Sequence, residues 1–261
     1  MAFGVAALGL LLGTSVADAG IKGSKHDLGA SGTSQHGTTG NTNTTEVCVF
    51  CHTPHGANTG AAAPLWNKSL PAAGSYTRYS SLNSSTIDGA ELAVGSVSLA
   101  CLSCHDGSQA MDVMINKPGS GGYTAGGAAF QANAAMTGTP LPNLGVDISN
   151  DHPISIQYGG GGWVGGDTDG TAAAGDLADG SFKAGVKDTI NTNPVWWIDT
   201  GNAGVRDKTD IILYTRTNGA TKEPFVECAS CHDPHNATAQ PVSFMRISNA
   251  ASAVCLACHD K

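Results

Sequence analysis

Charge is scarce in this chain. Only 13% of its 261 residues are charged and 6% are aromatic, whereas glycine occurs 35 times. A chain so poor in large apolar side chains cannot bury much side-chain surface for its length. The buried apolar surface has to come from elsewhere. Basic residues are the minority: 13 Lys and Arg against 21 Asp and Glu give a net charge of −8. That balance excludes nucleic acid as a natural partner and reads as simple solubility. Long apolar runs are lacking too. The one such run, Val5 to Val16, is too short to span a bilayer. Ala17-Asp18-Ala19 follows, a small-x-small pattern ahead of Gly20. Residues 1–19 therefore read as a secretory signal, although no Lys or Arg precedes the apolar run. The expected address is secreted, extracellular or at the cell surface, with the periplasm as the alternative.

What the chain has is cysteine, in one arrangement only. All eight cysteines fall in four Cys-x-x-Cys-His runs: Cys48, Cys51 and His52; Cys101, Cys104 and His105; Cys228, Cys231 and His232; Cys255, Cys258 and His259. Each reads as a c-type haem attachment site, with two thioether anchors and a proximal iron ligand. Two intervening residues bring both sulfurs within reach of the two vinyl positions, and the adjacent imidazole then falls under the iron. Zinc sites, thioredoxin-like redox pairs and structural disulfides use the same cysteine spacing, but none requires a histidine after every second cysteine. With 9 His in 261 residues, four such coincidences have a chance of roughly one in a million. Four haem c groups are the expected cofactors.

Five histidines remain: His26, His36, His55, His152 and His235. Four irons with two imidazoles each need eight, and nine are present, so bis-histidine ligation is the expectation. Methionine is the competing axial ligand, and Met111, Met114, Met136 and Met245 are available.

The rest of the chain predicts a mostly irregular fold, with short helices at the haem sites and a few β-strands, organised around a haem stack. Residues 20–46 read as a flexible N-terminal arm, 47–116 as a first dihaem unit, 117–226 as a Gly-rich linker with a small β-hairpin, and 227–261 as a second dihaem unit. Val195–Ile198 and Ile211–Thr215 are β-rich, and Asn218-Gly219 marks a turn before Phe225-Val226. Ser248 or Asn249 would cap a short helix under the last motif. Trp196 and Trp197 would either shield a haem edge or pack in the ordinary way. Asp167 and Asp169 lie in a glycine-rich stretch without a complete calcium loop and read as solvated. Without haem, the chain is expected to be largely unfolded.

The two motif pairs repeat one another. Each begins Cys-x-x-Cys-His-x-Pro-His and ends Cys-Leu-x-Cys-His-Asp. His55 follows His52 by three residues, so it emerges on the same side of that porphyrin and reaches a neighbouring haem instead. His55 is thereby assigned to the haem of Cys101 and Cys104, and His235 to that of Cys255 and Cys258. His26 and His152 are the choices for the first haem of each pair, with His36 spare. From Glu46 back to His36 an extended chain spans up to about 33 Å, enough to reach another subunit.

The paired motif is similar to that of the doubled-motif multihaem c-type cytochromes. Together with Ser24-x-His26-Asp27-Leu28, four sites in a secreted chain and glycine-rich linkers, it resembles the extracellular tetrahaem cytochromes that polymerise into nanowires. The resemblance implies a continuous haem chain, bis-histidine ligation and a homopolymer in which one axial histidine comes from the next subunit. Other cytochromes would be the electron donors or acceptors. On this reading the chain is an electron conduit, filamentous or alternatively a soluble periplasmic carrier. It is not an enzyme: a multihaem reductase needs an open iron position, and every motif here ends in histidine.

Overall fold

The computed structural model describes residues 20–29, 44–111, 113–119, 142–163, 177–236 and 244–260. Helices are few and short, and much of the described chain is coil and turn. Three helices matter: α1 (Ser96–His105), α2 (Cys228–Cys231) and α3 (Ala253–Cys258). Ser248 and Asn249 were the candidate caps for the last of them. Ser248 Oγ accepts from the Ala250 N–H at 3.1 Å, at the head of a 3₁₀ turn that leads into α3.

One antiparallel sheet of five strands organises the centre: β1 (Ile156–Gln157), β2 (Val186–Ile190), β3 (Asn193–Ile198), β4 (Ile211–Asn218) and β5 (Thr221–Val226), in the order β1-β5-β4-β3-β2. The hairpin expected around Asn218-Gly219 is present, pairing Asn218 with Thr221 across Gly219 at φ 61°. A second hairpin joins β2 to β3 through Asn191 and Thr192, both at positive φ (49° and 66°). Two consecutive left-handed residues give the twist that a two-residue hairpin favours.

The sheet supports one small core, with Trp196, Ile198, Ile211, Leu213 and Val226 packed on Tyr158, Leu177 and the Ala257 of α3. Trp196 is buried in that core at 3% exposure, and Trp197, equally buried at 3%, is not part of it. A second cluster gathers Tyr76, Val94, Leu99, Leu102 and Ile148 around α1. Among the described residues, no helix is long and apolar enough to cross a membrane.

Between the two cores runs a buried polar joint. Glu227 is fully buried, and its carboxylate accepts from Ser98 of α1, from Ser155 and from Arg216 of β4. It also caps α2, with Ser230 returning the bond to the Glu227 N–H. Ser98 Oγ in turn accepts from the Cys228 N–H at 2.9 Å. Gly95 allows Arg216 to approach, since a Cβ there would lie 2.8 Å from its guanidinium. Burial raises the Glu227 carboxyl above the usual carboxylate range, against the opposing pull of Ser98 and Arg216. The joint presses the start of α2 onto α1, and both helices carry a Cys-x-x-Cys-His motif.

Candidate haem sites

Each motif lies on a helical turn. Cys48–Phe50 is a 3₁₀ turn, α1 ends on His105, α2 spans the third pair of cysteines, and α3 ends on Cys258. Residues three and four apart share one face of such a turn. The two sulfurs and the histidine of a motif therefore fall on one side. In three of the motifs the histidine N–H closes the turn on the first cysteine's carbonyl: His52 on Cys48 at 2.9 Å, His232 on Cys228 at 3.2 Å and His259 on Cys255 at 2.9 Å.

A second segment then returns to clamp each histidine. Isolated β-bridges pair His52 with Trp66, His232 with Met245 and His259 with Phe182, while the Leu144 N–H donates to the His105 carbonyl at 2.8 Å. In the first two motifs the return segment also fixes the ring. Nδ1 of His52 lies 2.6 Å from the Pro64 carbonyl, and Nδ1 of His105 lies 2.7 Å from the Pro142 carbonyl. A carbonyl can only accept, so Nδ1 carries the hydrogen and Nε2 keeps its lone pair for a metal. The sequence signal was available in Ala63-Pro64-Leu65-Trp66 and Leu141-Pro142-Asn143-Leu144; sequence reasoning missed it because it looked only at histidine and cysteine.

The sulfurs are strung in chain order. Cys51 lies close enough to Cys104 for each charge to oppose the other, Cys101 shares a hydrogen bond with Cys228, and Cys231 lies near Cys255 and Cys258. Burial is the leading cause that pushes Cys51 and Cys258 up to about 12 and Cys231 to about 11. At these three cysteines the surroundings disfavour thiolate, the form that nucleophilic or zinc-binding cysteines need, whereas Cys228 is lowered by its hydrogen bond with Cys101. All eight cysteines are free of disulfides. Among the described residues, no three His, Cys, Asp or Glu side chains converge as a metal-holding group.

Two imidazole pairs stand out. His52 faces His235 with ring centres 6.2 Å apart and planes 15° apart; His105 faces His26 at 6.0 Å and 79°. Metal–imidazole bonds are about 2 Å long, so two rings on opposite sides of one metal have centres about 6 Å apart. Both pairs match that span. At such a distance the rings are not in contact with each other. His235 is further oriented by Asp233, whose Oδ1 lies 3.3 Å from its Nδ1. The hydrogen bond to His235 is the largest influence holding Asp233 down at about 2. His26 is stacked flat on Phe244 at 4.2 Å, and its buried Nδ1 has no hydrogen-bond partner among the described residues. Burial first, and His105 second, lower His26 to about 4, so the ring is held neutral, the form that binds metal. Trp66 stands edge-on to His52 at 6.2 Å, with its buried indole N–H also unpartnered among the described residues. The donor set, the ring spacing and these orphaned polar atoms all fit haem c.

The pairings differ from those expected from spacing. His235 faces the proximal histidine of the first motif, not the fourth, and His26, not His55, faces that of the second. The reason is tertiary: the Glu227 joint brings the third motif against the first pair. Within the expected arm, residues 20–29 form turns, with Asp27 fully buried and accepting from the N–H groups of Gly23 and Gly29, and residues 30–43 lie outside the described residues. His55 and His152 are exposed, and neither meets another histidine ring among the described residues. His259 packs against Phe182 at 4.5 Å. His36, Met136, Asp167 and Asp169 lie outside the described residues.

Residues 222–261 match a family model described as a doubled CXXCH motif. The match covers the third and fourth motifs and supports a multihaem c-type cytochrome, with covalent haem c binding and electron transfer. No curated protein matches the chain.

Proposed function

We propose that the chain carries four covalent bis-histidine haems and conducts electrons along them as the repeating subunit of an extracellular filament. The observation that carries the electron-transfer reading is the file of four motifs, each sulfur pair beside the next, with His52–His235 and His26–His105 spaced for one iron each. Haem, when bound, supplies reversible one-electron iron chemistry.

The protein's own residues do the rest. Cys48, Cys51, Cys101, Cys104, Cys228, Cys231, Cys255 and Cys258 hold the porphyrins by thioethers. His52, His105, His232 and His259 present Nε2 from one side, and Pro64 and Pro142 fix the tautomer of the first two. His235 would join His52 in holding the first haem, and His26 would join His105 in holding the second. This role is transfer, not catalysis. His36, His55 and His152 are then the candidates for the third and fourth sites, in cis or from a neighbouring subunit. A histidine supplied head to tail by each subunit to the next generates an open filament. Export through the signal segment places the filament outside the cell, with other cytochromes as its donors and acceptors.

Carbon monoxide tests the transfer reading. The reduced protein should show no stoichiometric spectral shift, and a full equivalent per chain would favour a reductase. Negative-stain microscopy of cell-surface material tests the filament. His36→Ala, His55→Ala and His152→Ala are the variants to compare, and loss of polymer with haem content retained identifies the ligand supplied in trans. Dispersed particles from the wild-type chain would favour a periplasmic carrier.

A further inference from the structure

The first haem pair encloses a lysine that neither ligation nor attachment uses. Lys68 is 1% exposed, although its ammonium is among the groups least often buried in proteins. Its Nζ donates to the carbonyls of Met111 at 2.7 Å, Val113 at 2.9 Å and Ala110 at 3.5 Å. Three acceptors for three N–H groups is a cage suited to an ammonium. The neighbouring Asn67, fully buried, ties the same stretch to the first motif through bonds to the Val49 and Asn116 carbonyls at 2.7 and 2.8 Å. Nζ therefore cannot swing out to water without dismantling that contact.

The position matters more than the burial. Lys68 sits between the first two motifs: the N–H of its neighbour Asn67 donates to the Cys51 carbonyl at 2.9 Å, and the three carbonyls that hold Nζ come shortly after His105, which puts its charge within electrostatic reach of Cys51 and Cys104. Among the described residues, no other lysine or arginine is fully buried: Arg246, which donates to the Ala229 carbonyl in the third motif, and Lys183, whose N–H donates to the Cys258 carbonyl in the fourth, are both more exposed.

We propose that Lys68 is a potential-setting residue, a fixed positive charge between the first two haems that favours their reduced state over that of the second pair. The inference rests on the tetrahaem reading above. Oxidising a bis-histidine haem adds one positive charge to the iron, and a nearby ammonium in a low-dielectric surrounding opposes that step. Electrons entering the file would therefore reside preferentially on the Cys48–His105 side of each subunit, which gives the conduit a repeating polarity.

The test uses the full chain with its covalent haems. Haem is first counted by alkaline pyridine spectra; fewer than four per wild-type chain overturns the tetrahaem reading itself. Spectroelectrochemical titration then compares wild type with Lys68→Met, Lys68→Gln and Lys68→Arg. At fixed poise, the neutral variants should lower the reduced-to-oxidised ratio of two of the four haems about tenfold, which is 59 mV for a one-electron couple. Lys68→Arg should stay near wild type. Superimposable curves, an equal shift of all four haems, or a shift in Lys68→Arg as large as in Lys68→Met would overturn the proposal. If neither neutral variant retains four haems, Lys68 is a folding residue and the proposal falls as well.

Discussion

His52 and His235 belong to different motif pairs, yet their rings face each other across 6.2 Å, with planes nearly parallel at 15°. The relationship crosses the internal repeat. On the proposed ligation, the first motif and a residue just beyond the third would hold one haem between them. A metal bond would then join the two halves of the chain as well as the Glu227 joint.

His235→Ala should therefore open the haem of His52, not that of His259. The variant is expected to bind about one equivalent of carbon monoxide when reduced, because a single sixth ligand is lost. Adding His55→Ala tests the pairing: the double variant should bind more only if His55 closes a different iron. A His235→Ala protein with no carbon monoxide response would remove His235 from the ligand set.

His26→Ala should likewise open the haem of His105. Phe244 lies flat on the His26 ring at 4.2 Å, so Phe244→Ala should act in the same direction but more weakly, loosening the ligand without deleting it. Electron paramagnetic resonance of the oxidised protein is the check. It should show a high-spin signal from one haem in His26→Ala and a broadened low-spin signal in Phe244→Ala. Identical spectra for Phe244→Ala and wild type would mean that the stacked ring does not position the ligand.

Several of these features were legible in the sequence and others were not, for physical reasons. The motifs announce themselves because haem attachment fixes residue type and spacing together. The hairpin at Asn218-Gly219 and the strands around Trp196 and Ile212 follow from local turn chemistry and β-branched runs. Strand β2, Val186–Ile190, was missed because three of its five residues are exposed, so it carries little apolar signal. Which imidazole rings face each other was not legible for a different reason. Spacing after His52 constrains where His55 points, but which imidazole arrives opposite depends on α1 meeting α2. That contact is governed by a buried glutamate whose partners are scattered from Ser98 to Arg216.

Haem removal should act unevenly on the fold. The composition alone predicts a largely unfolded haem-free chain, but the sheet has a core of its own around Trp196, Ile211 and Leu213. In protein made without haem attachment, hydrogen exchange should be fast throughout the four motifs and their return segments. Protection should persist in β3, β4 and β5. Uniformly fast exchange would show that porphyrin supports the sheet as well, and uniform protection would show that the protein does not need its cofactor to fold.

Glu227 offers the sharpest test of the joint between the halves. Its carboxylate is fully buried and paired with Arg216, whose side chain is 16% exposed. Removing one partner of a buried pair leaves the other uncompensated, so Glu227→Ala should destabilise the protein by about 3–5 kcal/mol. Glu227→Gln keeps hydrogen-bonding capacity and should cost less. The two also separate in pH dependence. Burial raises the native carboxyl above its ordinary 4.5, so the folded state takes up a proton before the unfolded state does. Between those two values the folded protein binds more protons, and stability falls as pH rises through the window. Lowering the pH from neutrality toward 4.5 should accordingly raise the melting temperature of wild type relative to Glu227→Gln, which lacks the titrating group. A constant difference across that range would mean that Glu227 keeps an ordinary carboxylate pKa despite its burial, and the joint would then owe its strength to the ion pair with Arg216 alone.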